Sequence, residues 1–322
     1  MSEKIKKAAP SAITITIAAI ICNIVWGTPF KLLKIMNEEL SVTKAALGDR
    51  FLAQAITVVS IRFFLAGILT LLFAVIFKKE DIFAVSKKQW GEIAIMGIVS
   101  TTIAYYFFNI ANVTIVSTIN STIVAQSTIF FGVILAHFFY KDDKLDARKM
   151  TALIIGFAGL IISQLSKGTS ISEMFNGVSF KGEGYMAIYG LVAAVATMLS
   201  RRISSNLDSF VMTGWNLVIG SVLLFLIGLM MGGDLSLVTW TSKGIILLVV
   251  LALASAIPFS LWYWCAQYAP LSELSMYKFI MPLSGSLLAV LLGEKFTAPL
   301  AIGLVLVCLS IIMISRPQKQ KI

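Results

Sequence analysis

Charged residues are scarce in this chain of 322 residues, because Lys, Arg, Asp and Glu together make up only 13% of it. A soluble protein carries about 25%. Hydrophobic residues make up 58% of the chain, so charge cannot cover a water-exposed surface. The shortage predicts an integral membrane protein whose surroundings are the lipid bilayer.

Residues that catalyse reactions or bind metals are also few. His137 is the one histidine, which argues against a histidine-based catalytic triad or a multi-histidine metal site. The three cysteines, Cys22, Cys265 and Cys308, lie inside apolar runs and are interpreted as small core residues rather than a disulfide framework. The chain has no G-x-x-x-x-G-K-[ST] phosphate loop. We therefore expect a protein that is not an enzyme and has no cofactor or metal.

The net charge of +10 raises the possibility of nucleic-acid binding. The basic residues, however, stand in short clusters between apolar runs and form no basic face or arm, so membrane topology explains them better. The basic start of the chain also resembles a signal peptide, but the apolar run 12–36 is too long for one. We expect it to be a retained first span.

Ten apolar runs are long enough to cross a bilayer. They cover residues 12–36, 52–77, 90–111, 115–138, 148–165, 183–204, 209–231, 243–267, 270–292 and 297–315. The polar, glycine-rich stretch near the middle of the chain is interpreted as a joint. The predicted organisation is a first repeat at 1–166, a linker at 167–182 and a second repeat at 183–322.

The distribution of basic residues predicts the orientation. With both termini in the cytoplasm, sixteen Lys and Arg fall on the cytoplasmic side and eight on the other side. Basic residues favour the cytoplasmic side of a membrane protein. The sequence therefore predicts a multi-pass protein of the cell's inner membrane with both termini cytoplasmic.

The two halves of the chain repeat a pattern. Residues 143–145 (DKL) join the fourth and fifth spans, and residues 294–296 (EKF) join the ninth and tenth. Nine residues after each acid stands a small residue, Ala152 and Gly303. Five spans per half, an odd number, set the halves in opposite orientations. The predicted fold is an all-α membrane protein of ten transmembrane helices in two inverted five-helix repeats, a transporter plan.

Several short motifs occur in a characteristic order along nearly the whole chain. They are residues 26–30 (WGTPF), 61–67 (IRFFLAG), 263–266 (YWCA), 280–282 (IMP) and 292–296 (LGEKF). In this order and spacing the chain resembles the EamA family of the drug/metabolite transporter superfamily. The resemblance implies ten helices, a central substrate cavity and export of amino acids or related metabolites across the inner membrane. The chain departs from a symmetric repeat at Ser127, which takes the place of Pro282 in the first half.

Lys278 is the sharpest candidate for substrate binding. It lies within a predicted span, where a charged side chain costs about 2.5–3.5 kcal/mol on insertion scales, so it should face protein or water. Its ammonium could bind a substrate carboxylate or phosphate. The alternative is a structural pair with an acid such as Glu273, although a spacing of five residues is poor for a helical contact.

Further candidates are aromatic and polar residues within the spans. The aromatic ones would enclose a substrate side chain and the polar ones would bind it, with interface anchoring and helix–helix contacts as the alternatives. They are Trp26, Tyr105, Tyr189, Trp262, Tyr277, Asn23, Asn109 and Gln126. Scattered phenylalanines are expected to pack. Arg62 is expected to brace loops near the end of the second span, and His137 to be packed or solvated.

Three prolines interrupt predicted spans, namely Pro29, Pro258 and Pro282. Each removes a backbone hydrogen bond and can kink its helix. A static kink is the alternative to a gating role for each of them, but their near-symmetric placement favours gating.

Together these features predict a secondary transporter, an exporter of amino acids or related small metabolites that works by alternating access. The alternative is a multidrug exporter of lipophilic cations. No acidic residue is placed convincingly within a span, so a carboxylate-based ion relay is not evident. The expected partners are a small-molecule substrate and the lipid bilayer, without nucleic acid, and the protein is expected to be a monomer or a homodimer.

Overall fold

A computed structural model of the protein describes residues 10–27, 29–115, 118–165, 179–291, 293 and 295–315, and the regular elements in these ranges are all helical. The helices are α1 (Ala12–Gly27), α2 (Pro29–Glu39), α3 (Lys44–Leu47), α4 (Phe51–Lys78), α5 (Lys87–Gly97), α6 (Ala104–Thr114), α7 (Thr118–Ala125), α8 (Ser127–Phe139), α9 (Ala147–Leu165), α10 (Tyr185–Ser204), α11 (Ser209–Met230), α12 (Ser242–Tyr268), α13 (Leu271–Met276), α14 (Ile280–Leu291) and α15 (Ala298–Ser315). Shorter elements are the π-helical turns Ile98–Ile103 and Phe180–Gly184 and the 3-10 turns Gly48–Arg50, Leu235–Leu237 and Tyr277–Phe279.

The helices match the ten predicted spans to within about three residues at each end. Within the described ranges, eight helical stretches are long and apolar enough to cross a membrane. One of them, Ala12–Lys78, covers two predicted spans, and the ninth predicted span is made of the shorter α13 and α14. The all-α membrane fold is confirmed, while the count of ten stays a prediction.

Parts of several predictions lie outside the described residues. These parts are most of the linker 167–182, Thr28, Glu294, and the basic residues near the two termini. The division of the chain at 167–182 therefore stays a prediction.

Local sequence explains where the main helices begin and end. Ser86 starts α5 with a capping box, in which its hydroxyl accepts from the Gln89 N–H at 3.3 Å and the Gln89 side chain accepts from the Ser86 N–H at 2.8 Å. The Asp208 carboxylate accepts from the first N–H groups of α11. Lys79, with φ of 54°, ends α4 in the left-handed conformation.

Helices from the two halves of the chain pack against each other in pairs. α4 packs along α11 and α9 along α15, while α1 packs on α12 and α14, and α10 packs on α6 and α8. The α9–α15 pair is close because a Cβ atom at Gly303 would lie 2.6 Å from the carbonyl oxygen of Gly159. The Ser310 hydroxyl donates to the Ala152 carbonyl at 2.6 Å across the same contact. The hydrophobic effect between helices is weak in lipid, so their association depends on close van der Waals packing, which small residues at such crossings permit.

Polar contacts mark the two ends of the bundle. At one end Lys78 pairs with Asp208, and the Gln89 amide donates to the Asn206 carbonyl at 3.0 Å. We call this the basic end, since α9 begins there with Arg148 and Lys149 and α10 ends there with Arg201 and Arg202. We call the opposite end the open end, for reasons given with the cavity below. At the open end, Lys243 Nζ lies 2.6 Å from Glu39 Oε1. The Thr239 N–H there donates to the Leu40 carbonyl at 3.1 Å.

A buried ionic network joins the two halves at the basic end. Asp143, in the loop between α8 and α9, accepts from Lys149 Nζ at 2.6 Å. It also accepts from the Ser272 hydroxyl and, at 2.9 Å, from the Ser272 N–H at the start of α13. Burial raises the pKa of the Asp143 carboxyl, but the hydrogen bonds from Lys149 and Ser272 outweigh burial and leave this pKa below its ordinary value. His137 closes the same loop by accepting from the Leu145 N–H at 3.0 Å, so it is packed as predicted.

We expect Lys149→Met to lower the free energy of unfolding by about 3–5 kcal/mol, because it leaves the Asp143 carboxylate buried and unpaired. Thermal melting of the purified protein in detergent measures the loss. The double variant Asp143→Asn with Lys149→Met removes both charges and should melt higher than the single variant. Equal melting of Lys149→Met and wild type would contradict the assignment.

The same network makes stability depend on pH in a defined direction. Since the pKa of folded Asp143 is depressed, its contribution is fully present above the pKa of an unfolded aspartate, about 3.9. The contribution is lost as the pH falls below that value through the folded pKa. In Asp143→Asn this part of the acid sensitivity should be missing.

Candidate functional site

A cavity of about 550 Å³ lies at the centre of the bundle, between helices of both halves. Its volume is within the range of about 300–1,000 Å³ typical of small-molecule sites. The first half of the chain contributes residues from α1, α2, α4, α6, α7, α8 and α9, and the second half from α10, α12 and α14. The lining is mostly apolar, with a small set of polar and basic side chains, as expected for a site that binds organic solutes.

The cavity is closed towards the basic end and reaches the surface at the other end. Its floor includes Trp262 and Tyr263, which belong to a packed cluster that extends to Ile203 and Ala269 at the basic end. Towards the opposite end the lining continues to Asn112, which is exposed, and to Ser121, whose hydroxyl donates to the Asn112 side chain at 2.8 Å. The term open end refers to this side.

Lys278 lines the cavity, as the sequence predicts. Its Nζ donates to the Thr128 hydroxyl at 3.0 Å and lies 5.1 Å from the centre of the Trp262 ring system. Within the described residues no carboxylate lies within 4.0 Å of it. Glu273, the alternative partner, lies 3.7 Å from Arg148 instead. An ammonium has three N–H donors, so the Thr128 bond leaves donors for a ligand.

The backbone around Lys278 is discontinuous. The 3-10 turn Tyr277–Phe279 separates α13 from α14, and Pro282 lies inside the first turn of α14. Pro282 has no N–H to bond the Lys278 carbonyl four residues earlier, which favours a break at this point. Helix breaks at membrane depth are typical of transporter binding sites.

Arg62 also lines the cavity, and this corrects the expectation that it braces loops. It is 6% exposed, and its Nε has no hydrogen-bond partner among the described residues. Its Cζ lies 4.5 Å from the centre of the Phe63 ring. Arg62 stands eleven positions after Phe51, the first residue of α4, which is about 16 Å of helix, so the side chain starts well below the end of the span.

Four aromatic rings connect the surroundings of these two cations, and we call them the aromatic wall. The ring centres of Phe63 and Phe259 lie 6.2 Å apart, those of Phe259 and Trp26 lie 5.2 Å apart, and those of Trp26 and Trp262 lie 5.4 Å apart. Arg62 therefore meets the wall at Phe63 and Lys278 meets it at Trp262. Phe259, Trp26 and Trp262 line the cavity and offer apolar, polarisable area there, whereas Phe63 is fully buried and does not line it.

Gln126 is a second polar group at a helix break. It lies in the turn between α7 and α8, is fully buried and lines the cavity. Neither its amide nitrogen nor its amide oxygen has a hydrogen-bond partner among the described residues. A buried amide without partners costs free energy, so a bound solute or water is expected to satisfy it.

The remaining aromatic candidates divide between the cavity and the helix packing. Tyr105 and Tyr189 line the cavity, with ring centres 6.3 Å apart, and Trp26 and Trp262 line it as predicted. Tyr277 does not line it. Its hydroxyl instead forms hydrogen bonds of 3.0 Å with Thr16 and 2.6 Å with Ser315.

Two asparagines predicted to bind substrate are also absent from the lining. The Asn23 amide donates to the Ala19 carbonyl at 2.7 Å, and the Asn109 amide donates to the Tyr105 carbonyl at 2.7 Å. Both bonds lie within one helix, because an amide side chain can reach the carbonyl one turn earlier. The structure places neither asparagine in the described lining, and their role in substrate binding stays a prediction.

The three prolines have different surroundings. Pro29 is the first described residue of α2, Pro258 lies inside α12, and Pro282 lines the cavity. The Pro258 carbonyl accepts from Cys22 Sγ at 3.5 Å. Pro258 leaves the carbonyl of Ala254 without its helical donor, and Ala254 lines the cavity. Their gating role stays a prediction.

Comparison with known proteins agrees with this geometry. The model of the EamA-like transporter family matches residues 13–165 and 180–316, which is most of the chain. The chain belongs to the EamA-like transporter family. It is a multi-pass membrane transporter, and the predicted resemblance is confirmed.

Relatives of the transporter are widespread. It is 24% identical over 299 residues to an uncharacterized transporter of Archaeoglobus fulgidus, with 92% of this chain and 96% of the relative covered. It is 25% identical over 299 residues to a chloroplastic WAT1-related protein of Arabidopsis thaliana, with 91% and 67% covered. A solved crystal structure superposes with a TM-score of 0.71 at 17% identity and covers 93% of this chain, which supports the fold.

Proposed function

We propose that the protein is a secondary transporter of small organic metabolites that carry a carboxylate, the class that includes amino acids and related compounds. The observation that supports this function is the position of Lys278, a cation in a central cavity with no acidic partner in the described chain. Burying an unpaired cation is costly, so the site favours a ligand that brings the negative charge. A charge-assisted hydrogen bond of this kind is worth about 1.5–3 kcal/mol.

The helix pairing supports two inverted repeats and alternating access. Number the predicted spans 1 to 10: span 2 packs on 7 and span 5 on 10. Span 1 packs on 8 and 9, and span 6 packs on 3 and 4 in the corresponding way. The contacts thus repeat when each span is exchanged for its counterpart five places along. Rocking one half against the other would close the open end and open the basic end.

The excess of Lys and Arg supports a cytoplasmic location for the basic end and for both termini. In that orientation the open end faces away from the cytoplasm, so the described state would release an exported solute. We propose export across the cell's inner membrane on this basis.

The lining does not favour the alternative substrate, a lipophilic cation. Such a solute is attracted by buried carboxylates or by aromatic faces free of positive charge. Among the lining residues that the structure describes there is no Asp or Glu, while Arg62 and Lys278 are both present. A cationic solute would meet two like charges in a site of low dielectric constant.

Thermal melting of the purified protein with three panels of solutes tests the proposal. The panels are amino acids, small carboxylic acids, and lipophilic cations such as tetraphenylphosphonium. A ligand that binds the folded state raises the melting temperature. At a ligand concentration of a hundred times its Kd, the free energy of unfolding rises by about 2.7 kcal/mol. We expect carboxylate-bearing solutes to stabilise the wild-type protein. Their Kd for Lys278→Met should be about tenfold to hundredfold higher than for wild type.

Lys243→Met is the matched control, because Lys243 pairs with Glu39 at the open end and does not line the cavity. It should respond to carboxylates as wild type does. The solutes that raise the melting temperature should then support counterflow transport in proteoliposomes. Stabilisation by tetraphenylphosphonium and by no carboxylate would contradict the proposal and favour the multidrug alternative.

A further inference from the structure

We propose that the transported solute carries two acidic groups, one bound by Lys278 and the other by Arg62. This inference rests on the proposed function, since it assigns a second anchor to the same cavity. Arg62 packs on the Phe63 ring but forms no ion pair within the described residues, and its Nε has no hydrogen-bond partner there. A guanidinium in that condition suits a carboxylate or phosphate group.

The distribution of all basic residues makes this placement specific. Of the 26 Lys and Arg, the orientation count assigns sixteen to one end and eight to the other, which leaves two. Those two are Arg62 and Lys278, and both line the cavity. The other basic residues within the spans are assigned to one end or the other, so Arg62 and Lys278 are the two that the count places at neither end.

The charge balance separates a doubly acidic solute from a zwitterion. An amino acid with a neutral side chain would neutralise one cation and add an ammonium, for which the described lining offers no carboxylate. A solute with two acidic groups would neutralise both cations and add no positive charge. In a region of low dielectric constant this difference favours the doubly acidic solute.

The aromatic wall sets the shape of the solute between its two acidic groups. Arg62 contacts the wall at Phe63 and Lys278 contacts it at Trp262, with Phe259 and Trp26 between them. A solute whose acidic groups stand at its two ends would fit this arrangement, with an apolar middle packed on Phe259, Trp26 and Trp262, which line the cavity. The shared chemistry is that of an α,ω-dicarboxylate or of a carboxylate with a distant phosphate.

A series of dicarboxylates from succinate to suberate, each paired with its monomethyl ester, tests the inference by thermal melting of the purified protein. The ester keeps the shape of the acid and removes one charge. For the best chain length we expect wild type to bind the diacid about tenfold to hundredfold more tightly than the ester, as the loss of one charged hydrogen bond implies.

Three variants show which residue binds the second acidic group. Arg62→Gln should bind diacid and ester alike, Arg62→Lys should keep most of the preference because it keeps the charge, and Lys243→Gln should behave as wild type. Arg62→Lys also separates loss of charge from misfolding. If Arg62 were only structural, the lysine variant would not be expected to keep the preference for the diacid.

Two failures can be told apart. If wild type binds ester and diacid equally, or if Arg62→Gln keeps the preference, the second anchor is wrong while carboxylate binding at Lys278 stands. If neither the diacids nor the esters bind and the amino acids fail as well, the proposed function is wrong. Transfer of the preferred diacid by counterflow, with the same preference over its ester, would support both.

Discussion

Gly27→Ala is expected to destabilise the transporter severely, although it adds a single methyl group. A Cβ atom at Gly27 would lie 1.8 Å from the Ser284 hydroxyl and 2.3 Å from the Met281 carbonyl oxygen. The hydroxyl can rotate away, but the carbonyl belongs to the backbone of α14 and cannot. α1 and α14 would have to separate, at a cost of about 3 kcal/mol or more.

The same substitution would also disturb the site. α14 begins immediately after the turn that holds Lys278, and Gly27 and Pro282 both line the cavity. A displacement of α14 by the new methyl group would move the ammonium relative to Thr128. We therefore expect Gly27→Ala to lose both melting temperature and carboxylate binding.

Gly91→Ala is the matched control, because the same atom added there meets nothing within 4 Å. Gly91 lies inside α5, where alanine is the better helix former, so the change should be neutral or stabilising by up to about 1 kcal/mol. Melting in detergent, with size-exclusion profiles of both variants, makes the comparison. Equal melting of the two variants would refute the close α1–α14 contact.

The sequence was sufficient to predict the helices because apolar runs of bilayer length leave little choice. The ends of the ten runs agree with the helices to within about three residues, and the break near Pro282 is present as predicted. The position of Lys278 followed from the same reasoning, since a charge deep in a span must face protein or water.

Side-chain direction was harder to predict than depth. Asn23 and Asn109 lie within spans, but each amide turns back to a carbonyl of its own helix, which no spacing rule distinguishes from a turn towards a cavity. Phe259 shows the reverse case. It was expected to pack, yet it lines the cavity at the centre of the aromatic wall, because helix packing decides which face of α12 is inward.

The position of Arg62 in the cavity was predictable, but Arg62 was expected from the sequence to brace loops. Its distance from the start of α4 gives a depth of about 16 Å, which is too far for an easy reach to the interface. Treating it by the rule applied to Lys278 would have placed both cations in the cavity.

The central claim is that the cavity is positively charged and open to solutes, and this can be tested without knowing the substrate. Ala125 lines the cavity at the end of α7, three residues before Thr128, whose hydroxyl accepts from Lys278. In a chain whose three native cysteines are replaced by alanine, Ala125→Cys places a thiol there. Two methanethiosulfonate reagents attach to it, one carrying a sulfonate and the other a trimethylammonium group.

The ratio of the two labelling rates isolates the charge of the cavity. The thiol reacts as the same thiolate with both reagents, so its pKa cancels in the ratio. A unit charge about 8 Å away contributes about 2 kcal/mol at an effective dielectric constant of about 20, with opposite signs for the two reagents. Relative to an exposed thiol, two such cations should shift the ratio towards the sulfonate by at least about a hundredfold.

Ser236→Cys, on the exposed link between α11 and α12 at the open end, supplies the reference thiol. Adding Lys278→Met to Ala125→Cys should reduce the excess strongly, and adding Arg62→Gln as well should abolish it. The decisive measurement is the sulfonate-to-ammonium rate ratio at Ala125→Cys divided by that at Ser236→Cys. We expect a quotient far above one that falls to about one without the two cations, whereas a quotient near one in the otherwise unchanged chain would contradict a cationic, solute-accessible site.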